Sequence, residues 1–218
     1  MSPDDRELTE RRRRMVETQL RARGIRDARV LEAMAAVPRH RFVDPREVEL
    51  AYGDFPIDIG LGQTISQPYI VAYMSEALQL APHHTVLEIG AGSGYQTAVL
   101  AGLVREVYSI EIVPEHARRA AAMLGELGFH NVHVREGDGY QGWPEHAPYN
   151  AVIVTAAPDH IPPPLVDQLT IGGRLAVPVG RWDQDLLVMT KTEDGLHEES
   201  RIAVRFVPLT RHAGLPNP

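Results

Sequence analysis

Val86-Leu-Glu-Ile-Gly-Ala-Gly-Ser-Gly94 is the stretch that decides how this chain is read. Its first half belongs to an apolar, β-rich run, Thr85–Ile89, that predicts a buried strand. The run ends in glycines spaced G-x-G-x-G, and a helix-compatible stretch, Tyr95–Leu103, follows. Closely spaced glycines let the backbone approach a ligand, and the start of a helix offers unpaired N–H groups. A tight turn without a ligand is the plain alternative. Two residues argue against it and narrow the ligand. Tyr95 stands where the dinucleotide fingerprint needs its third glycine. Glu88 sits just before the first glycine, where a carboxylate would repel pyrophosphate and favour a cation. S-adenosyl-L-methionine, with a sulfonium and an ammonium, suits that position better than NAD. Glu88, Gly90, Gly92 and Ser93 are its candidate contacts here.

Downstream, short apolar runs alternate with helical stretches. Strands are expected at Glu106–Ile110, Asn131–Arg135, Tyr149–Thr155, Arg174–Val177, Leu186–Thr190 and Ile202–Val207. One helix starts at Pro114 and ends near Gly128, and a short one covers Leu165–Leu169. Alternating β and α units imply a mostly parallel sheet covered on both faces. The late strands without a helix between them imply an antiparallel hairpin at one edge. Glu111 ends the second strand 17 positions after Gly94, where an acid can accept both ribose hydroxyls. The alternative is a solvated acid at a strand end. Asp138, between Gly137 and Gly139, can accept from an adenine amino group while the glycines admit the ring; the alternative is a simple Asp-Gly turn.

Upstream the chain reads as helical. Asp27 is placed to cap a helix whose apolar residues Val30, Leu31, Met34 and Val37 form one stripe, and Pro38 stops it. A Gly-rich loop, Gly53 to Ser66, leads to a second amphipathic helix, Pro68 to Leu80. The expected architecture is one α/β domain over residues 1–218 with a Rossmann-like core, 81–218. Residues 1–80 form a helical cap and a substrate loop.

Bulk properties exclude several other classes. There is no cysteine, so thiolate catalysis, disulfides and Cys-based metal sites are out. His130 and His133, three apart on an expected strand, point to opposite faces, and no metal is assigned. No apolar run approaches the ~20 residues of a membrane span, and the charged N-terminus is unlike a signal peptide. A cytoplasmic protein is expected. The net charge of −7 argues against nucleic acid as a partner. That charge is uneven: residues 1–46 hold 12 Arg against 8 acids (+4), and residues 47–218 hold 10 basic against 21 acidic residues (−11). The Arg11–Arg14 run reads as a solvated helix face.

The glycine loop, Glu111 and Asp138 together resemble the motifs of class I AdoMet-dependent methyltransferases. The substrate is indicated by Gln63-Thr-Ile-Ser-Gln-Pro68, which resembles the loop of the protein-L-isoaspartate O-methyltransferase family. Val86–Ala98, Tyr149–Ala157, Gly172–Gly180 and Arg205–Thr210 match the same family in order, so the resemblance spans roughly Val16 to Thr210. It implies a seven-stranded sheet with an atypical order of the last strands. It also implies S-adenosyl-L-methionine as methyl donor and S-adenosyl-L-homocysteine as product. The implied substrates are proteins or peptides bearing L-isoaspartyl (or D-aspartyl) residues, methylated on the free carboxylate and repaired through a succinimide. A monomer is expected, with no nucleic-acid or membrane partner. By the same resemblance Ser66 is the active-site residue, in a loop whose Gln63 and Thr64 touch the cofactor. Glu111 and Asp138 meet ribose and adenine, Gly139 admits the ring, and Thr210 lies near the cofactor.

A carboxylate nucleophile is already ionised at neutral pH, its pKa lying near ~4, so no general base is required. The protein's task is then alignment, with Ser66 donating a hydrogen bond that orients one carboxylate oxygen. The competing reading makes Ser66 only the cap of the Pro68–Leu80 helix. Rival functions are another class I methyltransferase, acting on a small molecule or RNA, a nicotinamide oxidoreductase, and a non-catalytic AdoMet-binding module.

Overall fold

The computed structural model describes residues 3–211. Helix α1 (Pro3–Met15) opens the chain, and α2 (Ala28–Ala36) follows. As the sequence implied, Asp27 caps α2: its carboxylate accepts from the Arg29 N–H at 2.8 Å. The stripe Val30, Leu31, Met34 and Val37 is buried. The expected Gly-rich loop holds a small antiparallel ribbon, β1 (Ile57–Gly60) with β2 (Gln63–Ile65), before α3 (Pro68–Ala77).

The core alternates β3 (Thr85–Ile89), α4 (Tyr95–Ala101), β4 (Glu106–Glu111), α5 (Pro114–Glu126), β5 (Val132–Glu136) and β6 (Tyr149–Val154). It continues with α6 (Pro163–Asp167), β7 (Leu169–Val179), β8 (Gln184–Thr192) and β9 (Gly195–Val204). The seven-stranded sheet runs β5-β4-β3-β6-β7-β8-β9. Strands β5 through β7 are parallel, and β8 and β9 return antiparallel, so the expected edge hairpin is present as β8–β9. The last three strands stand side by side in chain order.

Two strands differ most from the sequence reading. Strand β7 begins at Leu169, inside the expected end of the preceding helix, because a bulge at Gly172 (φ +79°) and Gly173 resets its register on β6. Lys191, the sole lysine, then donates to the Val166 and Leu169 carbonyls, each at 2.7 Å, and so ties β8 to the end of α6. Strand β9 covers Gly195–Val204 rather than Ile202–Val207, because the chain leaves the sheet edge after Val204. It crosses to Ala157 instead, where Ala157 N–H donates to Val207 and Leu209 N–H donates to Ala157, both at 2.8 Å.

One face of the sheet packs Val86, Val107, Ala151 and Ile153 against α2–α5. The other packs Leu87, Ile89, Val152 and Val154 against Leu165 of α6 and Tyr140. Among the described residues no helix is long and apolar enough to cross a membrane.

Candidate active site

The glycine turn after β3 uses its lack of side chains. Gly90, Gly92 and Gly94 all have positive φ, at +96°, +53° and +89°. At Gly90 the space is also closed: a Cβ would lie 2.4 Å from Thr155 Oγ1. The turn is held from beneath by Glu111 at the end of β4. One of its carboxylate oxygens accepts from Gly92 N–H at 2.8 Å and the other from Val113 N–H at 2.9 Å. Each oxygen keeps a second lone pair, enough to accept one hydroxyl of a vicinal diol. Glu111 is 5% exposed, yet it lines the cavity.

That cavity has a volume of about 490 Å³ and lies at the carboxyl ends of β3, β4 and β6. This is where open α/β sheets bind ligands. Gly90, Gly92, Ser93, Glu111 and Gly139 form one part of its wall, with Ile89 and Ile110 as apolar neighbours. Gln63, Thr64 and Ser66 form another part, presented by β2 and the loop into α3. Thr210 lines it as well, on the segment that crosses from β9. A cationic nucleoside fits this donor set: a diol acceptor, an apolar slot and a glycine turn open to its tail. Gly139 keeps the slot compact, since a Cβ there would meet Ile89 at 2.3 Å.

One expected contact needs correction. Glu88 does not line the cavity. As a β3 neighbour of Ile89 it must face the other side of the sheet, and it lies fully buried under α4. There it accepts from the Thr97 and Ser109 hydroxyls, while its Oε1 has no partner among the described residues. Burial, and secondarily the nearby Glu111 charge, push its pKa up from 4.5 to about 7 despite those hydroxyls. Glu88 ties β3 to α4 and β4 rather than lining the cavity. Asp138 adjoins the wall through its neighbour Gly139. One of its oxygens accepts from Tyr140 N–H at 3.0 Å, and the other pairs with Arg211 at 3.1 Å.

The cap reading of Ser66 also fails. The N-cap position of α3 is Gln67, which makes no side-chain cap bond and instead donates to the Asp54 carbonyl at 3.0 Å. Ser66 makes no hydrogen bond among the described residues and faces the cavity half-buried.

Residues 10–214 match the family model for protein-L-isoaspartate(D-aspartate) O-methyltransferase. The chain belongs to this family. Relatives named protein-L-isoaspartate O-methyltransferase include one from Gloeobacter violaceus, 60% identical, with 90% of this chain and 97% of the relative covered. One from Picosynechococcus is 57% identical, covering 93% and 91%. A solved protein-L-isoaspartate O-methyltransferase superposes with a TM-score of 0.84 at 29% identity, covering 93% of this chain and 67% of the other. A putative family member from Plasmodium falciparum, crystallised with S-adenosyl-L-homocysteine, superposes at 0.78 and 26% identity, covering 92% and 99%.

Sequence reasoning missed some of the family member's cavity wall. Thr155 and Ala156 follow β6, and Tyr95 and Gln96 open α4, and all four line the cavity. Thr155 Oγ1 donates to the Gly90 carbonyl at 2.6 Å and so fixes the first glycine. The signal was available, since a residue just past a central parallel strand falls beside the strand that ends in the glycine turn.

Proposed function

We propose that the chain transfers a methyl group from S-adenosyl-L-methionine to the free carboxylate of L-isoaspartyl (and D-aspartyl) residues in damaged proteins, initiating repair through a succinimide. The observation that carries this reading is the single cavity shared by the Gln63–Ser66 loop and the glycine turn with Glu111. Family membership over residues 10–214 supports the same reaction. The cofactor supplies an electrophilic methyl on a sulfonium; a carboxylate oxygen forms the new O–C bond, the C–S bond breaks, and its electron pair stays on sulfur as S-adenosyl-L-homocysteine.

The chain's own residues hold and align. Glu111 accepts from the ribose diol, Gly90, Gly92 and Ser93 pass the tail along the turn, and Gly139 bounds the adenine slot. Asp138 reaches the adenine edge. Gln63, Thr64 and Thr210 close another side. Ser66 donates to one carboxylate oxygen and leaves the other facing the methyl. Since the nucleophile is an anion at neutral pH, no side chain has to remove a proton. Alignment of two bound reactants can lower the barrier by roughly 7–11 kcal/mol.

In this reading residues 1–80 and 81–218 act as one catalytic domain, a monomer in the cytoplasm whose partners are proteins and peptides. The net charge of −7 supports the exclusion of nucleic acid. Ligand class is tested by thermal unfolding. S-adenosyl-L-methionine or S-adenosyl-L-homocysteine at about 100 times its Kd should stabilise the protein by about 2.7 kcal/mol. NAD at equal concentration should not. Stabilisation by NAD alone would overturn the reading.

A further inference from the structure

Arg205 is the one cationic side chain among the described residues that line the cavity, and Glu111 is the one acid. Arg205 follows β9 directly, on the segment that crosses to Ala157. Its backbone is rigidly placed. The buried Gln184 side chain accepts from Phe206 N–H at 2.6 Å and donates to the Phe206 carbonyl at 3.1 Å. Phe206 turns into the apolar core, and Arg205, its neighbour in an extended segment, is exposed.

The guanidinium makes no hydrogen bond or ion pair among the described residues. Arg201, four positions earlier on the same edge, is instead committed to Glu198 at 2.7 Å and Asp185 at 3.0 Å. Residues 47–218 carry a balance of −11, so an uncompensated cation at the cavity runs against the prevailing field. An anionic polypeptide would otherwise be repelled from this site. The reacting carboxylate is already served by Ser66 and the methyl donor inside the cavity, whereas Arg205 stands at its exposed edge.

We propose that Arg205 is a specificity-determining residue that takes a carboxylate flanking the isoaspartyl residue, so that the enzyme prefers substrates with an acidic neighbour. This rests on the methyltransferase reading given above.

The test uses matched isoaspartyl peptides that carry Glu, Gln or Lys beside the isoaspartyl residue, on its N-terminal side in one set and its C-terminal side in another. The wild type should rank Glu over Gln over Lys in kcat/KM in at least one set. Each step should be about twofold to fivefold, the range of a partly exposed ion pair, and should shrink as salt is raised. Arg205→Ala should flatten the ranking and Arg205→Glu should invert it, with the affinity for S-adenosyl-L-homocysteine and the melting temperature unchanged. The same ranking and salt dependence in Arg205→Ala as in the wild type would overturn the assignment. A loss of cofactor affinity in Arg205→Ala would also overturn it, by making Arg205 part of the cofactor site. No methylation of any isoaspartyl peptide by the wild type would refute the methyltransferase reading, and the assignment with it.

Discussion

Ser66 enters the cavity with its hydroxyl uncommitted, which separates two effects that its sequence position left entangled. As a carboxylate-orienting donor its loss in Ser66→Ala should remove about 1.5–3 kcal/mol of transition-state stabilisation. That is on the order of a 10- to 150-fold fall in kcat/KM. The melting temperature should stay put, because Ser66 caps nothing. A lowered melting temperature with near-normal turnover of an isoaspartyl peptide would contradict the assignment. Glu88 makes a different prediction, about stability and pH. Its folded pKa is raised from 4.5 to about 7, so between those values the native state holds a proton that the unfolded chain has released. Its contribution therefore weakens as pH rises from about 4.5 to about 7 and is level above. Glu88→Gln should flatten that slope in urea titrations at pH 5 and 7.5, and equal slopes in the two proteins would refute it. The carboxylate before the glycines suggested a ligand contact from sequence, yet strand alternation already implied that Glu88 and Ile89 cannot face the same side. The role of Ser66 was not legible in the same way, because whether a serine caps or faces a cavity turns on a single backbone step.

At the scale of elements, strand runs and capped helices were readable because each follows its own period. Thr85–Ile89 emerges with its expected bounds, and Asp27 begins α2 as its side chain dictates. The β1–β2 ribbon was not readable. Gly60 at the end of β1 and the two tip residues, Leu61 and Gly62, all have positive φ and left only the impression of a loop. The ribbon matters because β2 leads directly to Ser66, and its tip is tied down from outside. The buried His116 of α5 lies 3.2 Å from the Gly60 carbonyl, and since a carbonyl only accepts, the imidazole Nε2–H donates. His116→Ala should release this tether at a net of about 0.5–1.5 kcal/mol. Amide hydrogen exchange should then speed up in Ile57–Ile65 by roughly twofold to tenfold, with the β3–β6 amides little changed. Unaltered exchange in the ribbon would show that the tip is held by other means.

At the scale of the whole molecule, parallel β3, β4 and β6 end at one edge of the sheet, and that edge carries the glycine turn, Glu111 and Thr155. The β/α alternation made this edge legible in advance. The return of the chain after β9 was not, because the exit of Arg205–Leu209 toward Ala157 is a tertiary pairing that no local pattern encodes. Through that return Thr210 and Arg205 reach the cavity. The glycine turn with Glu111 and the Gln63–Ser66 loop share one space, as methyl transfer to an isoaspartyl carboxylate requires. The decisive measurement is methyl incorporation from labelled S-adenosyl-L-methionine into an isoaspartyl peptide and into its twin with a normal aspartyl bond. Base-labile methyl ester is expected in the isoaspartyl peptide alone, abolished when the cofactor is omitted. Equal labelling of both twins, or none in either, would contradict it.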